Sequence, residues 1–285
     1  MKNIITNLRI YKNTPNTVVG NLYLGDIYID SIPFDKKRKV RIYVPRDYEL
    51  NYSKRYSVIY MMDGKNLFDK HTSFIGEEWE VDETIESMVK EGQDGFIIVG
   101  IDSATDGDER CMEMAPSGSD LTSIEDLPQS FDAYGEKLGE FIVNELIPSV
   151  DALFRTNNNY TIAGSSMGGI FAFYMGMKYP NIFKNSLCFS PAFCLYKEKT
   201  VKEGLKNLKV NDNKFYFLVG DIDFENQFVS LTKYTYDYML NCGFNKNNIK
   251  YIHDLSGIHS EVFWRKYLKC ALDFFFKNTK DCNWC

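Results

Sequence analysis

The stretch YTIAGSSMGGIFAFYMGMKYP (160–180) joins a short apolar run, two adjacent serines among glycines, and a second apolar segment. The run YTIAG has the composition of a strand buried on both faces, and the segment after Gly169 has the spacing of a helix. The sequence therefore predicts a strand, a tight turn and a helix, which is the repeating unit of a mainly parallel sheet.

The same alternation continues along the chain. Asn21 to Pro45 alternates apolar and polar residues, as half-buried antiparallel strands do. Further buried strands are predicted at 56–62, 95–101, 185–190 and 214–220, and further helices at 79–89, 134–154, 228–240 and 262–276. We expect one α/β domain over residues 1–285, with antiparallel N-terminal strands (20–55) and a mainly parallel sheet that carries helices on both faces.

One polar segment, residues 103–130, has no clear period. A connection of that length in a compact domain is usually functional, and this one follows a buried strand. We expect it to form a cap or one wall of a cleft.

Composition limits the partners. The net charge is -6, which argues against nucleic acid and anionic membranes, because both attract basic surfaces. The N-terminal residues lack the apolar region of a secretory signal, and no run is long enough for a membrane helix. Seven cysteines, an odd number, fit reduced thiols, so a cytoplasmic location is expected. No nucleotide-binding motif is present, and CNWC (282–285), which has the spacing of a metal or redox pair, lacks the two further ligands that a zinc site would need. The sequence therefore predicts no cofactor and no metal.

The turn contains a chemical motif. Gly164-Ser165-Ser166-Met167-Gly168 fits G-x-S-x-G with Ser166 at its centre, between a strand and a helix. Glycines on either side allow strand and helix to approach closely while the serine takes a strained conformation. Ser166 is therefore the predicted nucleophile. The alternative is a purely structural turn.

A serine hydroxyl needs a base, and the chain has three histidines. The usual order on this strand-turn-helix unit is serine, acid, histidine, which excludes His71. His253 lies in a predicted strand, IKYIHDL (249–255), whereas His259 lies in a loop before the last helix. We favour His259 over His253.

The acid should follow a strand between Ser166 and His259, and FYFLVGDIDFEN (215–226) offers Asp221, Asp223 and, behind them, Glu225. We prefer Asp223, with Asp221 as the alternative, because the loop must first leave the strand before it turns. These acids could also belong to a solvated loop or a helix cap.

Two backbone N–H groups should stabilise the oxyanion. One is that of Met167, directly after the nucleophile at the start of a helix. The other is expected from the loop MMDGKNLFD (61–69), at Lys65 or Gly64.

With these residues in place, the chain resembles the putative esterase family of α/β-hydrolases, which includes enterochelin (siderophore) esterases, feruloyl and acetylxylan esterases and esterase D. The resemblance runs from about Arg41 to the last helix. The similar segments are VIYMMDGKNLFD (58–69), EEWEVDETIESMVKEG (77–92, like the family's W-x-x-D-E helix), FIIVGID (96–102), GSSMGG (164–169), VGDID (219–223) and GIHSEVFW (257–264).

The resemblance implies the α/β-hydrolase fold and a triad of Ser166, Asp223 and His259. Arg110 and Glu113 resemble the family's R-x-x-E-aromatic-x-P motif, although Met114 replaces the aromatic residue. They are candidates for substrate binding or for a simple ion pair. Trp79 is a further candidate, for an aromatic cleft or for core packing.

The expected function is hydrolysis of a small-molecule carboxylic ester through a serine acyl-enzyme, with a small acyl ester or a siderophore lactone as substrate. Two alternatives are an acyltransferase with the same triad and a catalytically silent ligand-binding protein on the hydrolase scaffold.

Overall fold

The computed structural model describes residues 3–116, 132–195 and 209–277, together with residues 202, 205 and 206. The predicted cap (103–130) therefore lies inside the described residues only as far as residue 116. The chain forms two compact units. The first contains Met1–Ala104, Glu140–Thr161 and Ser260–Cys285, and the second contains Thr105–Gly139 and Ile162–His259. The single-domain expectation stays a prediction.

The first unit contains the N-terminal strands. In chain order they are β1 (Thr6–Ile10), β2 (Asn21–Tyr28), β3 (Lys37–Val44), β4 (Tyr56–Met62), β5 (Phe96–Ile101) and the first part of β6 (Thr156–Ser165). They are arranged β1-β2-β3-β5-β4-β6. β1 to β3 are antiparallel neighbours, β3 pairs antiparallel with β5, and β4 runs parallel to β5. Every residue of β5 is buried, as its continuous apolar sequence predicts.

Neighbouring strands of the second unit run parallel. The order is β6, β7 (Phe183–Phe189), β8 (Lys214–Val219) and β9 (Ile249–His253), and both β7–β8 and β8–β9 are parallel. The predicted mainly parallel sheet with antiparallel N-terminal strands is confirmed. His253 is the last residue of β9, not a mid-strand residue as expected.

In the described part of the chain the helices follow the predicted segments, except for the helix at residues 107–114, which was not predicted. They are α1 (Val81–Lys90), α2 (Gly107–Met114), α3 (Gly135–Phe141), α4 (Ile147–Leu153), α5 (Met167–Lys178), α6 (Val229–Asn241) and α7 (Glu261–Phe276). A π-helical turn (Ile142–Leu146) separates α3 from α4 within what the periodicity predicts as one helix. Most of α5 is buried, which fits a helix that is apolar on all faces.

The structure bears on two expectations from composition, which concern reduced cysteines and membrane-spanning helices. Cys188, Cys194 and Cys242 are free thiols, but Cys270 is disulfide-bonded, so the prediction of reduced cysteines is wrong at that position. None of the helices in the described part of the chain is both long and apolar enough to span a bilayer. The cytoplasmic location stays a prediction.

Candidate active site

Ser166 occupies the turn between β6 and α5 in a conformation that is unusual for a residue with a side chain, at φ 56° and ψ −121°. Backbone hydrogen bonds hold it there. Its N–H donates to Phe189 O (2.9 Å), and its carbonyl accepts from the N–H groups of Gly169 (3.0 Å) and Ala192 (3.0 Å). Ser166 is half-buried, whereas its neighbour Ser165 is 5% exposed. The structure thus presents Ser166 and not Ser165, in strained geometry of the kind found at functional sites.

The flanking glycines are required by close packing. A Cβ atom on Gly164 would lie 2.6 Å from the carbonyl oxygen of Gly168, and one on Gly169 would lie 2.6 Å from Phe189 O. Since real Cβ atoms do not approach backbone this closely, strand and helix can meet at Ser166 only without side chains there. The close approach predicted from G-x-S-x-G is present.

Glu225 is a buried carboxylate in the same unit, in a 3₁₀ turn (Asp223–Phe228) after β8. Its Oε1 accepts hydrogen bonds from Ser190 Oγ (2.5 Å) and from the Gly220 N–H (2.8 Å). Its Oε2 lies 2.5 Å from Nδ1 of His259. The Glu225 side chain has no exposed surface, so a charge-assisted hydrogen bond to the imidazole forms in an environment shielded from water.

The imidazole of His259 is fixed by aromatic neighbours as well. Phe228 stacks on it with ring centroids 4.6 Å apart and planes at 22°, and Phe224 meets it edge-on at 5.3 Å. The loop before it is tied to the end of β8, because Gly257 O accepts from the N–H groups of Asp221 (3.1 Å) and Ile222 (3.0 Å). With Nδ1 directed at Glu225, Nε2 is the nitrogen suited to act as a base.

The predicted pairing of His259 with Asp223, or with its alternative Asp221, is wrong. Asp223 is exposed at φ 53°, and Asp221 accepts from Asn226 Nδ2 (2.7 Å) and lies 3.5 Å from His253 Nε2. The tight turn explains the difference. Residues three apart in a 3₁₀ helix share one face, and Glu225 and Phe228 are the buried pair. The sequence carries no signal that separates Glu225 from the two aspartates, because the path of the 3₁₀ turn selects it.

Comparison with known proteins identifies the family. Residues 31–275 match the family profile described as Putative esterase. The chain belongs to this family. A Bacillus subtilis (strain 168) relative described as Uncharacterized protein YjcH is 30% identical over 168 residues, which cover 58% of this chain and 58% of that protein. The chain thus matches a little over half the length of that family relative.

Solved structures show the same fold. The enterobactin esterase FES from Shigella flexneri, determined in the presence of enterobactin, aligns with a TM-score of 0.66 and 17% identity, over 93% of this chain and 59% of that chain. A ferulic acid esterase aligns with a TM-score of 0.61 and 18% identity, over 89% and 97%. The α/β-hydrolase architecture of the esterase family is therefore confirmed for this chain.

The predicted oxyanion donors lie on two different elements. Met167 is the first residue of α5, where N–H groups have no partner within the helix. Gly64 and Lys65 belong to a single 3₁₀ turn (Gly64–Asn66) after β4 in the first unit. A Cβ on Gly64 would lie 2.6 Å from Asp102 Oδ1, which explains glycine there by packing alone. The donor role of these residues stays a prediction.

The candidates for substrate binding are Trp79, Arg110 and Glu113. Trp79 is 2% exposed and stacks on Trp264 with centroids 5.5 Å apart, so it is a packing residue and not the wall of a cleft. Arg110 and Glu113 lie on α2, which is inside the segment predicted to form a cap or a cleft wall (103–130) and packs on α5. Arg110 is half-buried and Glu113 is buried. Their role in substrate binding stays a prediction.

A thiol in the second unit does not compete with Ser166 as a nucleophile. Cys194 lies in the short turn Phe193–Leu195 that follows β7. Burial, together with the negative charge of Glu225, raises the pKa of Cys194 to about 12. Because only the thiolate is a good nucleophile, Cys194 is unreactive at neutral pH.

Proposed function

We propose that the protein hydrolyses carboxylic esters, with Ser166 as nucleophile, His259 as general base and Glu225 as the acid that orients the base. The observation that carries this proposal is the 2.5 Å contact between Glu225 Oε2 and His259 Nδ1. Burying a carboxylate with no exposed surface costs free energy, because the group loses its hydration. Here the buried carboxylate contacts an imidazole in the unit that also contains the strained Ser166.

The reaction follows from these roles. Nε2 of His259 accepts the proton of the Ser166 hydroxyl as Oγ bonds to the ester carbonyl carbon. The imidazolium then gives this proton to the leaving alkoxide as the ester C–O bond breaks, which leaves an acyl-serine. Water next loses a proton to Nε2 and attacks the acyl carbon, and the proton returns to Ser166 as the acid departs. Glu225 stabilises the imidazolium in both halves.

The oxyanion is assigned to backbone donors. The Met167 N–H, at the N-terminal end of α5, is one, and a donor of this kind contributes roughly 3 to 4 kcal/mol. The N–H of Lys65 or Gly64 is proposed as the second. No metal or cofactor is needed for this chemistry.

Exposed apolar side chains near His259 favour an apolar ester. Phe224 is 50% exposed and contacts the imidazole, while Ile222 and Ile258 are 40% and 45% exposed in the two segments joined at Gly257. These three side chains are stabilised when an apolar acyl or alcohol group covers them, and they provide no positive charge for a multiply anionic siderophore. We therefore favour a small apolar acyl ester over a siderophore lactone.

The test is hydrolysis of p-nitrophenyl esters from acetyl to decanoyl by the wild type, Ser166→Ala and Ser165→Ala. Ser165 is the matched control, because it is the buried neighbour in the same turn. We expect Ser166→Ala to lose on the order of 10⁴-fold in kcat and Ser165→Ala to keep most of the activity. Equal activity of wild type and Ser166→Ala would overturn the proposal.

Two further measurements separate the alternatives. An acyltransferase would pass the acyl group to an added acceptor alcohol in preference to water, which product analysis detects. A silent binding protein would fail to react with a serine-directed organophosphonate, whereas we expect a single adduct on Ser166.

A further inference from the structure

Three acidic residues meet at the start of α1, in the first unit. They are Glu78, Asp82 and Glu83, and one carboxylate oxygen of each lies within 4.8 Å of the others. Glu78 is 4% exposed, Asp82 is fully buried and Glu83 is half-buried. The proposed esterase chemistry uses none of them.

In each of the three carboxyl groups, one oxygen lacks a hydrogen-bond donor among the described residues. Glu78 Oε1 accepts from Thr17 Oγ1 (2.5 Å), and Asp82 Oδ2 accepts from the Val19 N–H (2.6 Å). Within the described part of the chain, the other oxygens of these two residues, and Oε2 of Glu83, are buried and accept no hydrogen bond from a backbone N–H, a hydroxyl or a basic side chain. The carboxyl groups of Asp82 and Glu83 lie within hydrogen-bond reach of each other. Buried carboxylate oxygens are rarely left in this state, because the loss of water is not compensated.

Among the described residues, Glu78, Asp82 and Glu83 form no ion pair with a basic side chain. Arg265 lies near this segment, and its Nη1 pairs with Glu80 (2.8 Å) and Glu77 (3.4 Å), which lie outside the cluster.

We propose that Glu78, Asp82 and Glu83 bind a divalent cation of the oxygen-preferring class, with Ca²⁺ the best fit. Ca²⁺ takes carboxylate oxygens at about 2.3 to 2.6 Å, so two ligands on opposite sides of one ion are about 4.6 to 5.2 Å apart. Oxygens that all lie within 4.8 Å of one another can therefore share one ion. The three ligands are carboxylates without sulfur or imidazole, which favours an oxygen-preferring ion over zinc.

The cation would be structural. Glu78 and Asp82 already hold Thr17 and Val19, so an ion among the three carboxylates would tie the segment before β2 to the start of α1. No metal-ligand motif marks this segment of the sequence. Asp82 and Glu83 lie in the first turn of a helix, where acidic residues are common because they interact favourably with the helix dipole. The ligand set becomes apparent only when Glu78 is brought against them.

The test uses the full chain after exhaustive treatment with a chelator, followed by addition of Ca²⁺ alone at pH 8. We expect the Tm to rise on the order of 5 °C at a hundredfold excess of Ca²⁺ over its Kd. Tb³⁺, which has the same preference for oxygen ligands, should show luminescence sensitised by Trp79, the neighbour of Glu78 in the chain. Ca²⁺ should displace it.

Variants make the result specific. Asp82→Asn should abolish the Ca²⁺ response while leaving the chelated protein at least as stable as the wild type, because it removes a buried charge. Glu83→Gln, a half-buried site, serves the same purpose if Asp82→Asn does not fold. Glu77→Gln is the matched control, since Glu77 is exposed and adjacent, and it should respond like the wild type. A wild-type Tm that Ca²⁺ leaves unchanged, or a response retained in both cluster variants, would show that protons alone neutralise the carboxylates.

Discussion

Ser190 Oγ donates a 2.5 Å hydrogen bond to Oε1 of Glu225, and neither residue has exposed surface. Ser190 follows directly after β7 and has a φ of 42°, a conformation that directs its short side chain across to the turn after β8. Glu225 is thereby held on Oε1 while Oε2 contacts His259. Ser190 is thus a second serine beside the proposed acid, and we expect it to position Glu225.

Replacing Ser190 with alanine tests this positioning role. Ser190→Ala removes one donor to a buried carboxylate, which should lower kcat about 10-fold with little change in KM. The free energy of unfolding should fall by about 1 to 2 kcal/mol. Steady-state kinetics and denaturant unfolding measure the two effects. If Ser190→Ala lowered the stability but left kcat unchanged, Ser190 would have only a structural role.

The identity of the acid is tested by a matched pair of amides. Glu225→Gln keeps the shape of the side chain but removes the charge that stabilises the imidazolium, so kcat should fall about 10²- to 10⁴-fold. Asp223→Asn changes an exposed residue two positions away and should alter kcat by less than about 3-fold. If the two variants exchanged these effects, the acid would be Asp223, as the sequence alone suggested.

Continuous apolar runs made most of the fold predictable. The strand predicted at 56–62 coincides with β4, and the helix predicted at 262–276 differs from α7 by one residue. β1 was not predicted, because four of its five residues are exposed and an edge strand of this kind has no apolar period. α2 was missed for a similar reason. Its GDERCMEM sequence has little apolar spacing, and its start is set by Asp106, whose side chain accepts from the N–H groups of Asp108 and Glu109.

The candidate site was predictable where local geometry fixes it. Ser166 follows from the glycines around it, and His259 from its place before the last helix. The identity of the acid does not follow from the sequence, because three carboxylates lie within five residues and only the path of the 3₁₀ turn selects Glu225. Ser190 could not be predicted either, since its relation to Glu225 depends on two strand ends that are 30 or more residues apart in the chain.

The close approach at the turn should make Gly164 irreplaceable. In Gly164→Ala the new methyl group would lie 2.6 Å from backbone atoms of Gly168, which cannot move without shifting α5. We expect a loss of at least about 3 kcal/mol in the free energy of unfolding. Gly107→Ala, where no atom of the described residues lies within 4 Å of the added Cβ, should be neutral or slightly stabilising. Thermal denaturation compares the two, and equal Tm values would refute the packing argument.

Acid stability should depend on Asp26. Hydrogen bonds from Lys39 and from Asn7 Nδ2 (2.9 Å) lower the pKa of Asp26 from 3.8 to about 2. A lowered pKa stabilises the folded protein above the unfolded value of 3.8, and this contribution is lost as the pH falls toward 2. The Lys39 side chain is 37% exposed, so solvent screening limits the effect to about 1 kcal/mol.

The measurement is urea unfolding of Asp26→Asn and the wild type between pH 7 and pH 2. The difference in free energy should be largest at pH 7 and should vanish near pH 2. Asp30→Asn is the control, because Asp30 pairs with Lys36 at 3.0 Å but its side chain is 82% exposed, and it should show almost no difference at any pH. A difference for Asp26→Asn that persists at pH 2 would mean that packing, and not charge, is responsible.

The exposed ring of Phe224 should influence acyl-chain preference. It lies edge-on to His259 and is 50% exposed, so a long acyl chain can cover it, whereas an acetyl group is too small to do so. Phe224→Ala should therefore lower kcat/KM for octanoyl and decanoyl esters about 10-fold and for the acetyl ester less than about 3-fold. Phe74→Ala, which removes a ring that is 90% exposed in the first unit, should leave the whole series unchanged. A uniform loss across all chain lengths in Phe224→Ala would instead indicate that the ring acts only by holding the imidazole, and the exposed apolar side chains near His259 would then carry no substrate preference.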